Sequence, residues 1–386
     1  MADSPPLSGI KVLDFTQNLP GPYTTFILAS MGAEVIKVES PKGDPARAIE
    51  PMFSMLNGGK RSVVLDLREP SSRPALEALI GWADVLVEGF RPGVMDRLGA
   101  GWQRARALNP ALVYCAISAY GQTGPRVQEP GHDLNLQALS GICWLERDDD
   151  DVPRGARLPV ADLSTSLVAV ASICAALASG GQGRVGRYLD VGMSDAALSW
   201  ATLWGNGVDL AAPAKAAIGK APGGGVLQRL SGRMLQGLDR QKLYAMPQYG
   251  IYATRDKRHI ALGIVDERHF WEAMCDVLGL ARFRKLPVPA RTAMGPVLKA
   301  AIALQVRRHD SADILRKLVA ADVPATLVRR PDEVADEPQF RARDFFGPRG
   351  FVRAPLPEAH HLDAPAPSLG QDTTAVLAAL GVSGSP

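Results

Sequence analysis

Cysteine is scarce in this sequence, and its few copies follow no pattern. The 386-residue chain has four cysteines and no CxxC pair: Cys115, Cys143, Cys174 and Cys275. Structural metal sites and disulfide frameworks need regularly spaced cysteines, so the sequence predicts neither. Isolated cysteines in apolar or mixed segments indicate free, buried thiols, which are typical of the reducing cytosol.

A long apolar run, a targeting signal and a marked excess of charge are missing as well. Apolar stretches such as Leu167–Leu177 are shorter than the ~20 residues that a membrane helix needs. Met1–Pro6 has neither the basic nor the apolar region of a secretory signal. Forty-three basic and 40 acidic side chains give a net charge of +3, which indicates no nucleic-acid partner. We expect a soluble cytoplasmic protein with no membrane partner.

Nucleotide-binding signatures and low-complexity segments are also lacking. No GxGxxG follows a strand pattern and no Walker motif occurs, which disfavours dinucleotide and nucleoside-triphosphate chemistry. The 38 glycines and 30 prolines are too dispersed for a fibrous or low-complexity protein. Since single domains usually have about 100–200 residues, the length predicts two globular domains.

Short strand and helix patterns alternate along the first 120 residues. The strand patterns are Ile10–Phe15, Glu34–Val38, Ser62–Leu67, Asp84–Val87 and Leu112–Ser118, and the helix patterns are Thr24–Met31, Ala75–Trp82 and Trp102–Leu108. Such alternation is typical of βαβ units. It predicts an α/β fold with a mainly parallel sheet that helices cover.

The chain changes character after residue 205. Residues 206–247 lose periodicity and are rich in glycine, alanine, proline and basic residues, which predicts a linker. Beyond it, Tyr249–Ala253 and His259–Gly263 flank a polar turn and predict a β-hairpin. We expect a smaller α+β domain from about residue 248.

Two cationic segments suit anion binding. Asn57–Ser62 combines glycines with Lys60 and Arg61 just before a strand, so it fits either a phosphate site or a solvated turn. Arg91 lies in Gly89–Gly93, directly after a strand pattern. Ligands of parallel sheets bind at the carboxyl ends of strands, so Arg91 fits a ligand site as well as an exposed turn.

Three titratable residues lie at predicted helix starts. His132 precedes the helix-like Leu134–Leu139, where the helix dipole favours the neutral imidazole that suits a general base. Asp133 is placed to cap the same helix. Asp162 precedes the apolar helix pattern Leu163–Ala178, as either a cap or a carboxyl with a raised pKa. A structural histidine and a capping aspartate are the alternatives to catalytic roles.

Nine segments across almost the whole chain match a known family in order. They are Leu7–Phe15, Pro20–Pro22, Met31–Glu39, Gly59–Leu67, Ala83–Gly93, Gly121–Pro125, Gly131–Asn135, Tyr188–Met193 and Ala366–Gly370. On these segments the sequence resembles the class III acyl-CoA transferase and α-methylacyl-CoA racemase superfamily, also called CaiB/BaiF. The match is weakest over residues 206–247.

The resemblance implies a discontinuous large domain and a coenzyme A substrate. Residues 1–205 and 321–386 would form a Rossmann-like domain, residues 248–320 the small domain, and two chains an interlocked homodimer. The substrate would be an acyl-CoA thioester bound on the large domain, with no permanently bound cofactor and no metal. The implied partners of the CoA phosphates are Lys60, Arg61, Arg91, Arg97 and Lys42, the last because Ser40 stands where some racemases have an arginine.

The family divides into two chemistries, and Asp162 matches the aspartate of both. In the transferases, the aspartate attacks the thioester carbonyl and later carries CoA as an aspartyl thioester. In the racemases, aspartate and histidine exchange the proton beside the carbonyl, while N–H groups at the helix start, here Asp133, bind the thioester oxygen. His132 and Asp162 both match the racemase pattern. The favoured prediction is therefore a racemase-like epimerase of fatty acid metabolism.

Two positions depart from the family pattern. Asp266 stands where racemases carry a glutamate that supports the histidine, and Glu267 is next to it. Tyr244–Met246 replaces a glycine-rich turn with which transferases cover their intermediates. A CoA-transferase that moves CoA between carboxylic acids is the alternative prediction, and a CoA-binding relative without turnover is a third.

Overall fold

The computed structural model describes residues 4–146, 152–179, 185–205, 246–348, 350 and 352–382. The chain forms two compact units. The first unit consists of Met1–Leu203 and Glu337–Pro386, and the second of Trp204–Asp336. The first unit therefore contains both ends of the chain.

A six-stranded sheet forms the centre of the first unit, and all of its neighbouring strands are parallel. Its strands are β1 (Lys11–Phe15), β2 (Glu34–Glu39), β3 (Arg61–Val64), β4 (Val85–Glu88), β5 (Val113–Ser118) and β6 (Arg187–Gly192). Their order, β3-β2-β1-β4-β5-β6, is that of a doubly wound, Rossmann-like sheet. In such sheets ligands bind beyond the carboxyl ends of the two strands where the order reverses, here β1 and β4.

Helices cover both faces of this sheet. They are α1 (Gly21–Ser30), α2 (Met52–Asn57), α3 (Arg73–Trp82), α4 (Val94–Arg97), α5 (Trp102–Leu108), α6 (Asp133–Leu139), α7 (Ile142–Leu145), α8 (Val160–Ala178) and α9 (Met193–Gly205). Successive residues of a strand point to opposite faces. Val85 and Val87 accordingly pack with Ile173 of α8, whereas Leu86 packs with Leu76 of α3. The predicted α/β fold with a parallel sheet is confirmed.

Helix α8 is long and rich in apolar residues. Its 19 residues are long and apolar enough to cross a membrane by length and composition, with 44% of that window buried within the protein. Core helices meet the same criterion. Ala161, Ala169 and Ile173 are fully buried against the sheet, so α8 has the packing of a core helix.

The second unit contains a three-stranded antiparallel sheet in the order β7-β8-β9. Its strands are β7 (Tyr249–Ala253), β8 (His259–Gly263) and β9 (Ala325–Leu327), and its helices are α10 (Arg268–Val277), α11 (Val288–Ala293), α12 (Gly295–Val306) and α13 (Ser311–Ala320). The predicted hairpin is confirmed with the same bounds. Because β9 pairs with β8, the chain returns to the first unit later than residue 321. Almost all of the predicted linker, 206–247, lies outside the described residues.

The last helices belong to the first unit. They are α14 (Pro338–Ala342) and α15 (Thr373–Ala379). Just before and at the start of α15, Asp372 accepts a hydrogen bond from the Ser62 amide and Thr373 accepts one from the Val64 amide. These bonds hold the C-terminal segment against β3, the edge strand of the sheet.

Candidate active site

A cavity of about 600 Å³ lies at the carboxyl ends of the parallel strands, within the first unit. Three of its walls lie at the carboxyl ends of β1, β4 and β5. They are Thr16–Gly21 after β1, Gly89–Pro92 after β4, and Ile117–Tyr120, which contains the last two residues of β5. Glu129–Asp133 and Asp162 complete this part of the lining. The cavity therefore occupies the position that the strand order predicts for a ligand site.

His132 and Asp162 line this same cavity. His132 has an extended backbone immediately before α6, and its amide donates to Oδ1 of Asn135 at 3.1 Å. Asp162 lies in the first turn of α8 and is half-buried. Two residues that are 30 positions apart in the sequence thus line one cavity.

The environment of Asp162 disfavours its ionised form. Burial, and then the negative charge of Asp133, raise the pKa of Asp162 to about 7. An ordinary aspartate with a pKa of about 3.9 is fully ionised at neutral pH. Asp162 is instead poised to change charge near neutrality, which is common for reactive carboxyl groups.

Asp133 differs from its predicted role. Helix α6 begins at Asp133, as predicted. The Asp133 side chain, however, caps the start of α8 and not the start of α6. Its Oδ1 accepts hydrogen bonds from the amides of Ala161 at 2.8 Å and Asp162 at 3.2 Å. No sequence pattern indicates this contact, because it joins segments 28 residues apart.

Lys60 is not available to a phosphate group. Its side chain is fully buried, and its Nζ lies 3.2 Å from Oδ2 of Asp14. Thr25 Oγ1, Asn57 Oδ1 and the carbonyl of Pro22 also accept hydrogen bonds from it. Burial lowers the pKa of Lys60 to about 8, although Asp14 opposes this effect, so the ammonium group stays charged at neutral pH. Lys60 therefore binds groups inside the fold and not a CoA phosphate.

The other candidate cations lie in different places. Arg91 is exposed and lines the cavity. Arg61 pairs with Glu34 across β3 and β2, at 2.9 Å. Arg97 and Lys42 are exposed but are not among the described residues that line the cavity. Of the predicted phosphate partners, the structure brings Arg91 to the site.

Asp266 and Glu267 belong to the second unit. Asp266 is exposed, and Glu267 precedes α10, where its Oε2 accepts a hydrogen bond from the amide of Val265 at 2.9 Å. Support of His132 by Asp266 stays a prediction. Tyr244 and Ala245 lie outside the described residues.

A buried ion pair that the sequence analysis missed fixes the loop after β1. Lys37 and Asp44 are fully buried, with Nζ 2.9 Å from Oδ2. The Lys37 ammonium donates to the carbonyl of Thr16 at 2.8 Å, and Oδ1 of Asp44 accepts from the amide of Asn18 at 3.1 Å. Gln17 lies between these two bonds and is exposed on the cavity wall. A lysine inside the apolar run Val35–Val38 was the available signal.

Glu88 plays a similar part for the loop after β4. It is the last residue of β4 and is buried, and its Oε2 accepts a hydrogen bond from the amide of Phe90 at 2.8 Å. Burial raises the pKa of Glu88 to about 8. Glu88 is therefore mostly protonated at pH 7, and its hydrogen bond to Phe90 holds the segment that leads to Arg91.

Comparison with known proteins identifies the family. The family model described as CoA-transferase family III matches residues 7–373. The chain belongs to CoA-transferase family III. The resemblance drawn from sequence motifs is thereby confirmed, and the protein is an enzyme of CoA thioester chemistry.

Named relatives of this family III enzyme cover nearly all of its length. Acetyl-CoA:oxalate CoA-transferase of Acetobacter aceti is 32% identical over 91% of this chain and 87% of the relative. Succinate–glutarate CoA-transferase of Agrobacterium fabrum is 29% identical over 97% and 96%. A crystal structure of a CaiB/BaiF family protein from Brucella suis has a TM-score of 0.81 at 28% identity, covering 98% of this chain and 100% of that one. These names favour transfer, and the preference for racemisation is not confirmed.

Proposed function

We propose that this enzyme is a CoA-transferase that moves CoA between carboxylic acids, with Asp162 as the nucleophile. The observation that carries the proposal is the half-buried Asp162 carboxyl on the wall of a cavity at the carboxyl edge of the sheet. Arg91 lines the same cavity. Relatives that match over nine tenths of the chain are named CoA-transferases.

The reaction needs no group beyond the carboxylate and the two substrates. An Asp162 oxygen attacks the thioester carbonyl, the carbon–sulfur bond breaks, and CoA leaves as the thiolate. The thiolate then attacks the aspartyl carbonyl of the mixed anhydride, which releases the first acid and leaves CoA on Asp162 as a thioester. The acceptor carboxylate then attacks the aspartyl thioester, which forms a second mixed anhydride and releases the CoA thiolate. The thiolate attacks the acceptor's carbonyl in this anhydride, which gives the new acyl-CoA and regenerates the Asp162 carboxylate.

The raised pKa of Asp162 suits this role. A carboxylate that is fully solvated and strongly stabilised is a weak nucleophile, whereas one in a partly apolar site is more reactive once ionised. Because the pKa is about 7, a substantial share of Asp162 is ionised at neutral pH. We expect the rate of the first step to rise with pH through this value and then level off.

In this proposal, cations near the strand ends bind the phosphate groups of CoA. Arg91 is the first candidate for a CoA phosphate because it lines the cavity. Lys42, Arg61 and Arg97 remain more distant candidates. In this proposal CoA enters only as part of the substrate, and the interlocked homodimer and the support of His132 by Asp266 remain predictions.

One observation favours a second candidate function. His132 shares the cavity with Asp162, and the two could exchange the proton beside a thioester carbonyl. The N–H groups at the start of α6 would then bind the thioester oxygen. This racemase-like reaction needs no acceptor acid, which separates it from transfer.

A panel of acyl-CoA thioesters in D₂O, with and without free acids, distinguishes the two reactions by mass spectrometry. The relatives are named for oxalate, succinate and glutarate, so the panel begins with short dicarboxylic acids. We expect CoA to appear on the added acid, with no deuterium beside the carbonyl, and His132→Ala to keep much of this activity. Deuterium uptake without an acceptor, lost in His132→Ala, would instead establish the racemase.

A further inference from the structure

The start of α8 lacks a cap of its own. Pro159 precedes the helix, and no side-chain hydrogen bond from that position satisfies the first amides. Unpaired amides at a helix start need partners from elsewhere. Asp133 supplies one, since its Oδ1 accepts from the amides of Ala161 and Asp162 at 2.8 and 3.2 Å. The backbone of Asp162 is therefore tied directly to Asp133.

Gln137 extends this connection one turn along α6. It is 1% exposed, and its Oε1 accepts a hydrogen bond from the amide of Ala156 at 2.8 Å. Its Nε2 donates to Oδ2 of Asp133 and, at 3.4 Å, to the carbonyl of Leu158. One face of α6 thus holds residues 156–162, the segment that leads into α8 and carries Asp162.

We propose that Asp133 and Gln137 are positioning residues that hold Asp162 at the cavity it shares with His132 and set the electrostatic surroundings of its carboxyl group. The two residues follow His132 on the same short helix, so one rigid element places both reactive side chains. The inference rests on the proposed role of Asp162 as the reacting group.

The charge of Asp133 acts on Asp162 in a direction that can be measured. The Asp133 carboxylate is stabilised by the two amides and by the positive end of α8. Its negative charge disfavours ionisation of Asp162, after the larger effect of burial. The other titratable groups among the described residues that line the cavity are His132 and Glu129 from the segment before α6, Arg91 after β4 and Tyr120 after β5.

Asp133→Asn removes the negative charge and keeps the hydrogen bonds to the start of α8. The amide oxygen can still accept from Ala161 and Asp162, whereas the new Nδ2 group cannot accept from Nε2 of Gln137 as Oδ2 of the carboxylate does. We expect kcat on the pH plateau to stay within about threefold of wild type, because the bonds that tie the backbone of Asp162 to α6 are kept. We expect the acid limb of kcat/KM to move to lower pH, with the relative rate one unit below the wild-type midpoint rising at least about twofold.

Asp133→Ala and Gln137→Leu remove the hydrogen bonds. We expect each to lower kcat about 10- to 100-fold, since small displacements of a reacting group have effects of this size. KM for the acyl-CoA should change less, because CoA is held mainly through its phosphates and nucleotide. If Asp133→Ala fails to fold, Asp133→Asn and Gln137→Leu still decide the question.

Asn109→Leu is the matched control. The Asn109 side chain makes three hydrogen bonds, as that of Gln137 does, but all three join backbone groups: the carbonyls of Ile80 and Ala83 and the amide of Ala111. Its loss should lower the melting temperature as Gln137→Leu does, without moving the acid limb or lowering kcat more than about twofold. An equal loss of kcat in both variants would show that Gln137 has a merely structural role.

Hydrogen–deuterium exchange tests the positioning without any turnover. We expect faster exchange in a peptide that spans residues 156–166 in Asp133→Ala and Gln137→Leu, and unchanged exchange there in Asn109→Leu. Unchanged exchange in Asp133→Ala and Gln137→Leu would overturn the positioning role. An acid limb of kcat/KM that does not move in Asp133→Asn would overturn the electrostatic role. A wild-type enzyme that is inactive on every acyl-CoA would contradict the proposed function, while the exchange result would still stand.

Discussion

The environment of Asp162, and not its residue type, makes it a candidate for a reactive carboxyl group. The sequence left two interpretations open, a helix cap or a carboxyl with a raised pKa. The structure assigns the cap to Asp133 and leaves the Asp162 carboxyl half-buried on the cavity wall. The sequence indicates Asp162 as a candidate. The pKa of Asp162 depends on its burial and then on the charge of Asp133, which lies at the start of α6, 28 residues before the Ala161 amide that it caps.

Asp162→Asn should abolish CoA transfer and stabilise the fold at neutral and alkaline pH. The folded-state pKa of about 7 lies above the ordinary value of 3.8. Between these two values the unfolded chain loses its proton first, so the wild type loses stability as the pH rises, and then the loss stays constant. The neutral asparagine avoids this loss.

Melting temperatures at about pH 4 and about pH 8 check this prediction, since the window runs between the two pKa values. We expect the melting temperature of Asp162→Asn to exceed that of the wild type by more at the higher pH. A variant that is less stable than wild type by the same amount at both values would show that Asp162 ionises as easily in the folded protein as in the unfolded chain.

Arg91→Met should weaken the binding of CoA thioesters. Charge-assisted hydrogen bonds to a phosphate contribute about 1.5–3 kcal/mol, so we expect KM to rise roughly 10- to 100-fold with a smaller change in kcat. Initial rates over a range of acyl-CoA concentrations measure this. Arg104→Met, which removes an arginine from the exposed pair with Glu77, is the control. Equal KM values for Arg91→Met and wild type would exclude Arg91 as a CoA contact.

At the scale of elements, the strands of the parallel sheet were the easiest feature to predict. Strands β1 to β5 are largely buried apolar runs, and their positions followed from the sequence within one to three residues at each end. Strand β6 was missed as a strand because Arg187–Asp190 is mostly exposed and carries no continuous apolar pattern. Burial on both faces, not β-propensity alone, makes a strand visible in a sequence.

The loops at the site were harder to predict than the strands that carry them. The cavity joins segments near residues 16, 89, 117, 132 and 162, and their proximity follows from the order of the strands in space. Hydrophobic patterns give the strands but not this order. The buried pair of Lys37 and Asp44 shows the same limit, since a lone lysine in a strand does not reveal its partner.

Lys37→Met should destabilise the fold strongly, because it leaves the Asp44 carboxylate buried without its counter-charge. Removing one partner of a buried pair costs about 3–5 kcal/mol, whereas an exposed pair contributes about 0–1 kcal/mol. Urea unfolding of Lys37→Met and Arg104→Met compares the two cases. We expect the double variant Lys37→Met/Asp44→Asn to recover part of the loss. Equal unfolding free energies for the two single variants would contradict this account.

For the whole molecule, length and net charge gave only coarse guidance. The length suggests two domains, and the chain forms two compact units. The length does not show that the first unit is closed by the C-terminal segment, whose Asp372 and Thr373 bind β3 from more than 300 residues away. The net charge of +3 does not reveal where single cations lie. What matters is the position of single charges: Arg91 reaches the cavity, while Lys60 and Lys37 are buried within the fold.

Family membership followed from ordered motifs, whereas the chemistry within the family did not. The match over residues 7–373 confirms the family. His132 favoured racemisation from the sequence, but the names of the relatives favour transfer. Transfer would need only Asp162 at this cavity, whereas racemisation would need His132 as well, and both residues line it. The fold therefore does not decide between the two reactions.

Trapping of Asp162 is the most direct test of the central claim. The enzyme is incubated with an acyl-CoA, then with hydroxylamine, and the peptide that contains Asp162 is analysed by mass spectrometry. We expect the hydroxamate at Asp162, dependent on the acyl-CoA and absent from the Asp162→Asn protein. CoA transfer to an added acid without any adduct at Asp162, in the wild type under the same conditions, would contradict the proposed mechanism.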